Sequence, residues 1–187
     1  MSGRFAIHAT PFAGLFVVER RPHTDERGYF ERVYCAEELK SAGLDKPIRQ
    51  INRTLTRTKG TIRGLHFQYP PHMEIKVVSC MAGAVFDVAV DLRKGSPTFL
   101  RWHGELLSAD NRRTLVIPEG FAHGFQTLED ECEMLYLHTA DYAANAEGGF
   151  NADDARLAIG WPLASAHRSE RDAGLPGIPL GWEGIAA

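Results

Sequence analysis

The sequence predicts an all-β protein in which strands form two packed sheets or a closed barrel. About ten short segments are rich in valine, isoleucine, phenylalanine and tyrosine, the residue types enriched in strands. Turn-forming residues separate them, as in RKGSP at 93–97 and PEG at 118–120. Since clear helical patterning is confined to one short segment, a sheet sandwich or barrel is the favoured architecture.

The predicted strands follow one another closely as far as residue 139. The helix is expected at 35–43, where CAEELKSAG ends on Gly43, a residue type that commonly terminates helices. The strands are expected near residues 14–20, 28–34, 48–56, 61–68, 74–81, 84–91, 99–107, 113–117, 121–128 and 132–139.

From about residue 140 the chain becomes rich in alanine, glycine, aspartate and proline. This composition predicts an irregular C-terminal tail wrapped on the sheets. We therefore expect residues 1–187 to form a single domain with a cupin-like double-stranded β-helix, or jelly roll, and a few short helices.

The composition is that of an ordinary soluble globular protein, with 44% hydrophobic residues, 24% charged residues and a formal charge of -3. We expect neither a nucleic-acid partner nor a membrane partner, since there is no basic excess, no long apolar run and no secretory signal pattern at the N-terminus. Three widely spaced cysteines predict neither a disulfide framework nor a cysteine-based zinc site. A reducing, cytoplasmic compartment is expected.

The stretch IPEGFAHGF at 117–125 has the spacing P-x-G-x-x-H and resembles the second histidine motif of cupins. Metal-binding cupins carry H-x-H at the first motif, where this chain has Leu65-His66-Phe67-Gln68. Lys76 nearby would repel a divalent cation, and a metal site needs three or four good ligands. We predict no metal and no other cofactor.

The same residues suit proton chemistry. His66, Lys76 and Tyr136 lie on different predicted strands and could converge inside one barrel. Histidine suits general-base work near neutral pH, lysine can stabilise an oxyanion, and a tyrosine phenol can return a proton. Together they fit abstraction of a proton from a carbon beside a carbonyl, followed by reprotonation from the other face.

Several motifs occur in an order that resembles one enzyme family. They are DERGYFE (25–31), RGLHFQ (63–68), IKVVSC (75–80), VFDVAVDLRKGSPTF (85–99), LVIPEGFAHGF (115–125), LYLHTADY (135–142) and SERD (169–172). This order resembles the dTDP-4-dehydrorhamnose 3,5-epimerases, from about residue 10 to residue 172. The resemblance implies a metal-free, homodimeric, cupin-fold isomerase.

The resemblance also implies catalytic roles. His66 corresponds to the general base of the family, and Asp172 to the aspartate that orients it. Lys76 corresponds to the lysine that stabilises the enolate, and Tyr136 to the acid. His123 is expected to position the keto oxygen of the sugar.

Substrate contacts follow from the same comparison. Arg27 and Arg63 match arginines that hold the diphosphate, a group suited to bidentate guanidinium contacts. Phe30 and Tyr142 match aromatic positions that sandwich the nucleotide base, in part across the dimer. Less specific matches imply polar contacts at Gln50, Asn52, Gln68, Glu147 and Arg171.

The chain departs from the family pattern near the catalytic positions. Leu137-His138 stand where a lysine often follows the tyrosine, and Met73-Glu74 stand where small or amide residues are common. Ala143 replaces the second of two aromatic residues. These differences leave open the nucleotide, the sugar and the number of inverted carbons.

The implied reaction converts dTDP-4-dehydro-6-deoxy-D-glucose to dTDP-4-dehydro-L-rhamnose by epimerisation at C3 and C5, in deoxysugar synthesis such as L-rhamnose formation for surface polysaccharide. The first alternative is a single-carbon epimerase acting on another nucleoside-diphosphate 4-keto sugar. A metal-dependent cupin and a non-catalytic sugar-nucleotide binder are weaker alternatives. The intact set of His66, Lys76 and Tyr136 argues against pure binding, which needs no base facing an acid.

Overall fold

The computed structural model describes residues 3–186 and is built mainly from short antiparallel strands. Helices are brief: α1 (Ala36–Leu39), a 3-10 helix (Lys40–Ala42) and α2 (Glu170–Ala173). The strands are β1 (Phe5–Ala9), β2 (Phe16–Arg20), β3 (His23–Asp25), β4 (Gly28–Phe30), β5 (Gln50–Thr56), β6 (Ile62–Gln68), β7 (Lys76–Ala82), β8 (Ala84–Asp91), β9 (Trp102–Ser108), β10 (Arg113–Ile117), β11 (Phe121–Thr127), β12 (Cys132–His138) and β13 (Glu147–Gly149).

Two antiparallel sheets form the body of the fold. The six-stranded sheet has the order β1-β2-β10-β7-β12-β5, and the five-stranded sheet has the order β13-β6-β11-β8-β9. Apolar side chains from both sheets meet between them, including Val78, Leu115 and Met134 from the first and Val85 and Phe125 from the second. The predicted all-β, cupin-like jelly roll is confirmed.

The outer faces of both sheets are also covered. Phe150, Leu157 and Ile178 of the C-terminal segment pack on the five-stranded sheet. Leu39 and Leu44, in and after the helical segment, pack on the six-stranded sheet. Apolar burial on both faces explains why several strand sequences are apolar nearly throughout instead of alternating. Beyond residue 140 the chain is irregular except for β13 and α2, as predicted.

All ten predicted strands are present, but three short ones were not predicted: β1, β3 and β13. The strand expected at 28–34 ends at Phe30, because β3 and β4 form a separate hairpin with three residue pairs. The predicted helix is divided into α1 and the 3-10 helix. Gly43 ends it as expected, with a φ of 80° and its N–H donated to the carbonyl of Lys40. Across residues 3–186, no helix has both the length and the apolar character needed to cross a membrane.

Candidate active site

A cavity of about 600 Å³ opens between the two sheets. The five-stranded sheet contributes one wall, the six-stranded sheet contributes the opposite wall, and the segments after β12 and around α2 form the rim. Its lining is mostly polar and charged, with Gln50, Asn52, Thr54, Arg63, His66, Phe67, Gln68, Glu74, Lys76, His123, Phe125, Tyr136, His138, Tyr142, Glu147, Ser169, Arg171 and Asp172.

Two histidines face the cavity from the five-stranded sheet. His66 on β6 and His123 on β11 are directly opposite each other in the antiparallel register. Two glycines beside them allow the strands to approach closely. A Cβ on Gly64, whose φ is +121°, would lie 2.6 Å from the Cα of Gly124. This contact gives a physical reason for the glycines in RGLH and AHGF: they let β6 and β11 place both histidines in one wall.

The His66 ring is held by the carboxylate of Asp172. Its Nε2 lies 2.8 Å from Oδ1 of Asp172, while the Gly64 N–H donates to Oδ2 at 3.1 Å. Ser169 caps α2 by accepting the Asp172 N–H at 3.0 Å. The motif SERD therefore contains both the helix cap and the carboxylate that the cap positions.

The Asp172 carboxyl is ionised at neutral pH. Burial by itself raises its pKa, but the hydrogen bonds from His66 and the Gly64 N–H outweigh burial and hold the pKa below its usual value. An ionised carboxylate at Nε2 favours the imidazole tautomer with its proton on that nitrogen. Nδ1 of His66 is then the nitrogen with a free lone pair, which is what a general base needs.

His123 has a comparable partner. Its Nε2 lies 2.8 Å from Oδ2 of Asp87, a fully buried carboxylate on β8. Asp87 was not among the residues predicted from the sequence. Its signal was a charged residue within the apolar strand VFDVAV, since buried charges normally require a partner.

The six-stranded sheet contributes Lys76 on β7 and Tyr136 on β12. Burial is the largest influence on the phenol and raises the pKa of Tyr136 well above its usual value. The side chain therefore remains a neutral proton donor over the whole physiological range. The Lys76 ammonium lies 3.4 Å from the carbonyl oxygen of His66, so it reaches across the cavity to the facing wall.

Glu74 and His138 also lie in this wall, although sequence analysis assigned no role to His138. Nδ1 of His138 is 2.9 Å from Oε2 of Glu74, and Oε1 of Glu74 is 3.3 Å from the Lys76 ammonium. Strand periodicity could have located His138. It lies two residues after Tyr136 on β12, and alternate strand residues share a face.

The rim is organised by two glutamines. Gln50 accepts the N–H of Tyr142 at 3.1 Å, and Gln68 accepts the N–H of Ala143 at 2.7 Å. Their side-chain carbonyls thus hold the rim segment in place. The Tyr142 hydroxyl donates to Glu147 at 2.9 Å. Arg171 forms an ion pair with the same carboxylate.

Of the remaining predicted contacts, two line the cavity and two do not. Arg63 lines it, and its guanidinium donates to the Thr56 hydroxyl at 2.9 Å. Asn52 lines it from β5. Arg27 and Phe30 lie on the β3–β4 hairpin, outside the cavity of their own chain. Phe30 is 64% exposed, and Arg27 forms a surface ion pair with Asp25.

A metal site needs three or four ligating side chains grouped around one point, and the structure describes the side chains of residues 3–186. No three His, Cys, Asp or Glu residues in that range are grouped so that they could hold a metal ion. At and behind the cavity walls, the carboxylates Asp172, Asp87 and Glu74 are each paired with an imidazole.

Comparison with known proteins gives a consistent assignment. The sequence profile of the dTDP-4-dehydrorhamnose 3,5-epimerases matches residues 9–179. The dTDP-4-dehydrorhamnose 3,5-epimerase of Shigella flexneri is 42% identical over 164 residues, covering 87% of this chain and 90% of the relative.

Solved structures agree. A Bacillus anthracis dTDP-4-dehydrorhamnose 3,5-epimerase with TDP and PPi bound superposes with a TM-score of 0.90 at 41% identity, covering 93% of this chain and 99% of that one. A Legionella pneumophila dTDP-6-deoxy-D-glucose-3,5-epimerase in complex with dTDP-4-keto-L-rhamnose gives a TM-score of 0.90 at 36% identity, covering 98% and 99%. The family predicted from the ordered motifs is confirmed: this chain belongs to the dTDP-4-dehydrorhamnose 3,5-epimerases, which are isomerases acting on sugar nucleotides.

Proposed function

We propose that this protein converts dTDP-4-dehydro-6-deoxy-D-glucose to dTDP-4-dehydro-L-rhamnose by inverting C3 and C5. One observation carries the proposal. A histidine held by an ionised carboxylate and a neutral phenol face one cavity from opposite sheets. Epimerisation requires removal of a proton from one face of a carbon and delivery to the other face, and this arrangement supplies both groups.

His66 removes the proton, assisted by Asp172. The C4 ketone makes the hydrogens at C3 and C5 acidic, since the electrons of the broken C–H bond can move onto the ketone oxygen. Nδ1 of His66 accepts the proton, and the nearby Asp172 carboxylate stabilises the imidazolium that forms. A sugar without the 4-keto group should not react.

Lys76 stabilises the negative charge that develops on the C4 oxygen. Its ammonium is mostly buried between the two walls, where a fixed charge acts more strongly than it does in water. His123 adds a second polar group beside the reacting centre, and the Asp87 carboxylate fixes its orientation.

Tyr136 completes the inversion. It donates its phenolic proton to the carbon from the side opposite His66. Solvent then returns a proton to the tyrosine and takes one from the imidazolium. The raised pKa of Tyr136 ensures that a proton is available on this wall.

Polar and aromatic groups at the rim bind the nucleotide. Arg63 and Arg171 are exposed cations suited to the diphosphate. Tyr142 provides an exposed ring for the base. Gln50 and Gln68 support the rim segment that carries Tyr142, and Asn52 and Glu147 offer further hydrogen-bonding groups.

The remaining two binding residues act across a homodimer. We propose that the β3–β4 hairpin reaches the cavity of a second chain, where Arg27 contacts the diphosphate and Phe30 the base. Phe30 is exposed and does not line the cavity of its own chain, which supports this arrangement. The edge strand β5 also exposes Ile51 and Leu55, and an open strand edge can extend a sheet between chains.

A mixed dimer tests this arrangement. We expect activity to return when His66→Ala chains are mixed with chains that carry Arg27→Ala and Phe30→Ala, because one cavity then combines an intact base with an intact partner hairpin. Sedimentation should give twice the mass of one chain. No recovery in a mixture with proven subunit exchange would contradict the shared cavity.

We also propose that residues 1–187 act as one domain in the cytoplasm, in deoxysugar synthesis. Packing of the C-terminal segment on the five-stranded sheet supports the single domain. The three cysteines are free thiols, in keeping with a reducing compartment.

Proton NMR in deuterium oxide tests the reaction, with dTDP-4-dehydro-6-deoxy-D-glucose as substrate and His66→Ala as control. We expect deuterium at both C3 and C5 with the natural protein and at neither carbon with the variant. Exchange at C3 alone would make the protein a single-carbon epimerase. Binding without exchange at either carbon would contradict the proposed reaction.

A further inference from the structure

Glu74 joins two other side chains in the six-stranded wall. One carboxylate oxygen is 3.3 Å from the Lys76 ammonium, and the other is 2.9 Å from Nδ1 of His138. Lys76 and His138 are themselves directly opposite each other on β7 and β12. The carboxylate therefore bridges a pair of neighbours whose positions are already set by sheet register.

All three side chains are mostly buried. Their exposed fractions are 9% for Glu74, 12% for Lys76 and 14% for His138. Burial by itself raises the pKa of the Glu74 carboxyl, but the His138 hydrogen bond and the Lys76 charge outweigh it, so its pKa lies below the usual value. Glu74 is therefore an anion that holds its neighbours by charge as well as by hydrogen bonding.

Lys76 has few other anchors. Besides Glu74, its ammonium has a single hydrogen bond among the described residues, a long one of 3.4 Å to the carbonyl of His66. A lysine side chain has a flexible four-carbon stem, so without Glu74 the ammonium could occupy many positions. A charge stabilises an oxyanion most efficiently when it is already in place before the oxyanion forms.

His138 limits the cost of placing an anion beside this lysine. A carboxylate that served only Lys76 would neutralise much of the charge the enolate needs. Because the second oxygen is engaged by His138, the negative charge of Glu74 is shared between two partners. The imidazole also fixes the direction of the carboxylate.

Glu74 contacts both His138 and Lys76, and His138 lies opposite Lys76 in the sheet register. They are therefore one structural unit. We propose that Glu74 and His138 are positioning residues for Lys76: His138 orients Glu74, and Glu74 holds the ammonium where the enolate oxygen forms. This inference rests on the proposed epimerisation and adds residues that act through the lysine.

A double-mutant cycle tests the proposal. Glu74→Ala should lower kcat about 10- to 100-fold with KM changed less than about threefold, because transition-state stabilisation is lost and substrate binding is kept. In a Lys76→Met background, Glu74→Ala should change kcat by less than about threefold, since its target is gone. Glu74→Gln keeps the side-chain volume and one acceptor oxygen but loses the charge, so its kcat should lie between those of Glu74→Ala and the natural protein.

The chain offers a matched control outside the cavity. Glu105 also bridges a histidine and a cation, with His103 at 3.3 Å and Arg113 at 2.6 Å, and its side chain is 12% exposed. Glu105→Ala should leave kcat unchanged. Melting temperatures of all variants identify any loss that comes from unfolding. If Glu74→Ala is too unstable to assay, His138→Ala tests the same proposal by removing the side chain that orients Glu74. The expected loss in kcat is the same.

Three outcomes would overturn the proposal that Glu74 and His138 position Lys76. In the first, Glu74→Ala lowers kcat equally with Lys76 present and with Lys76→Met. In the second, Glu74→Ala raises KM and leaves kcat unchanged. In the third, the natural protein epimerises both carbons and Glu74→Ala changes neither constant. If the natural protein does not epimerise the substrate, the proposed function is overturned, and with it the proposed role of Glu74 and His138.

Discussion

The two walls of the cavity differ in how they hold protons. On the five-stranded sheet, His66 and His123 are each oriented by a carboxylate. On the six-stranded sheet, Tyr136 is kept neutral by burial, and the Lys76 ammonium is held by the Glu74 carboxylate. The pKa of Asp172 is lowered and that of Tyr136 is raised, so one wall is prepared to accept a proton and the other to donate one.

Removing the proposed base, His66, should produce the largest effect. We expect His66→Ala to lower kcat/KM about 10³-fold or more, because positioned general bases contribute up to about 10⁴-fold. Deuterium exchange at C3 and C5 should also stop, as measured by proton NMR. Exchange that continues at the natural rate would mean that the base lies on the other wall.

Removing the positive charge of Lys76 should have the next largest effect. Lys76→Met retains the length and apolar stem of the side chain and removes the charge. Loss of one oxyanion-stabilising donor typically costs about 10²- to 10³-fold in kcat, and we expect a loss in that range by steady-state kinetics. If KM rose and kcat stayed constant, Lys76 would be a binding residue.

Tyr136→Phe distinguishes proton removal at one wall from proton delivery at the other most clearly. We expect epimerisation to slow about 10²-fold, while deuterium still enters the unepimerised sugar, because His66 can remove a proton and return deuterium to the same face. NMR of recovered substrate and product measures both rates. Equal losses of exchange and inversion would show that the phenol is needed for proton removal as well.

Asp172→Asn should have a smaller effect than loss of the base itself. The amide keeps an oxygen near His66 but loses the negative charge that supports the imidazolium, so we expect kcat to fall about 10- to 100-fold. Circular dichroism provides the control for folding. An unchanged kcat would assign the carboxylate to structure alone, through its bond with the Gly64 N–H.

The smallest expected effect is on acid stability. Because the pKa of Asp172 is lower in the folded protein, its ionised form stabilises the fold above the unfolded value of about 3.9, and this contribution is lost as the pH falls through the folded value. The Tm difference between the natural protein and Asp172→Asn should therefore narrow from pH 7 towards pH 3. A constant difference would show that the carboxylate charge does not contribute.

Much of the fold was predictable because strand residues and turn residues alternate clearly along the chain. The ten predicted strands are present, and the ordered motifs identified the family. The strands β1, β3 and β13 were not predicted, since they lie at sheet edges or in a separate hairpin and depend on a single partner strand. The glycines of RGLH and AHGF became explicable only when β6 and β11 were seen in contact.

The sequence by itself determined the strand pattern and the presence of His66, Lys76, Tyr136 and Asp172. Tertiary structure decided which residues share a wall, because sheet register pairs positions that are far apart in sequence. It placed Asp87 beside His123, and it joined Glu74, which precedes β7, to His138 on β12. Side-chain charges interact through space over a few ångströms, so imidazole–carboxylate pairs that face a buried phenol exist only in the folded chain.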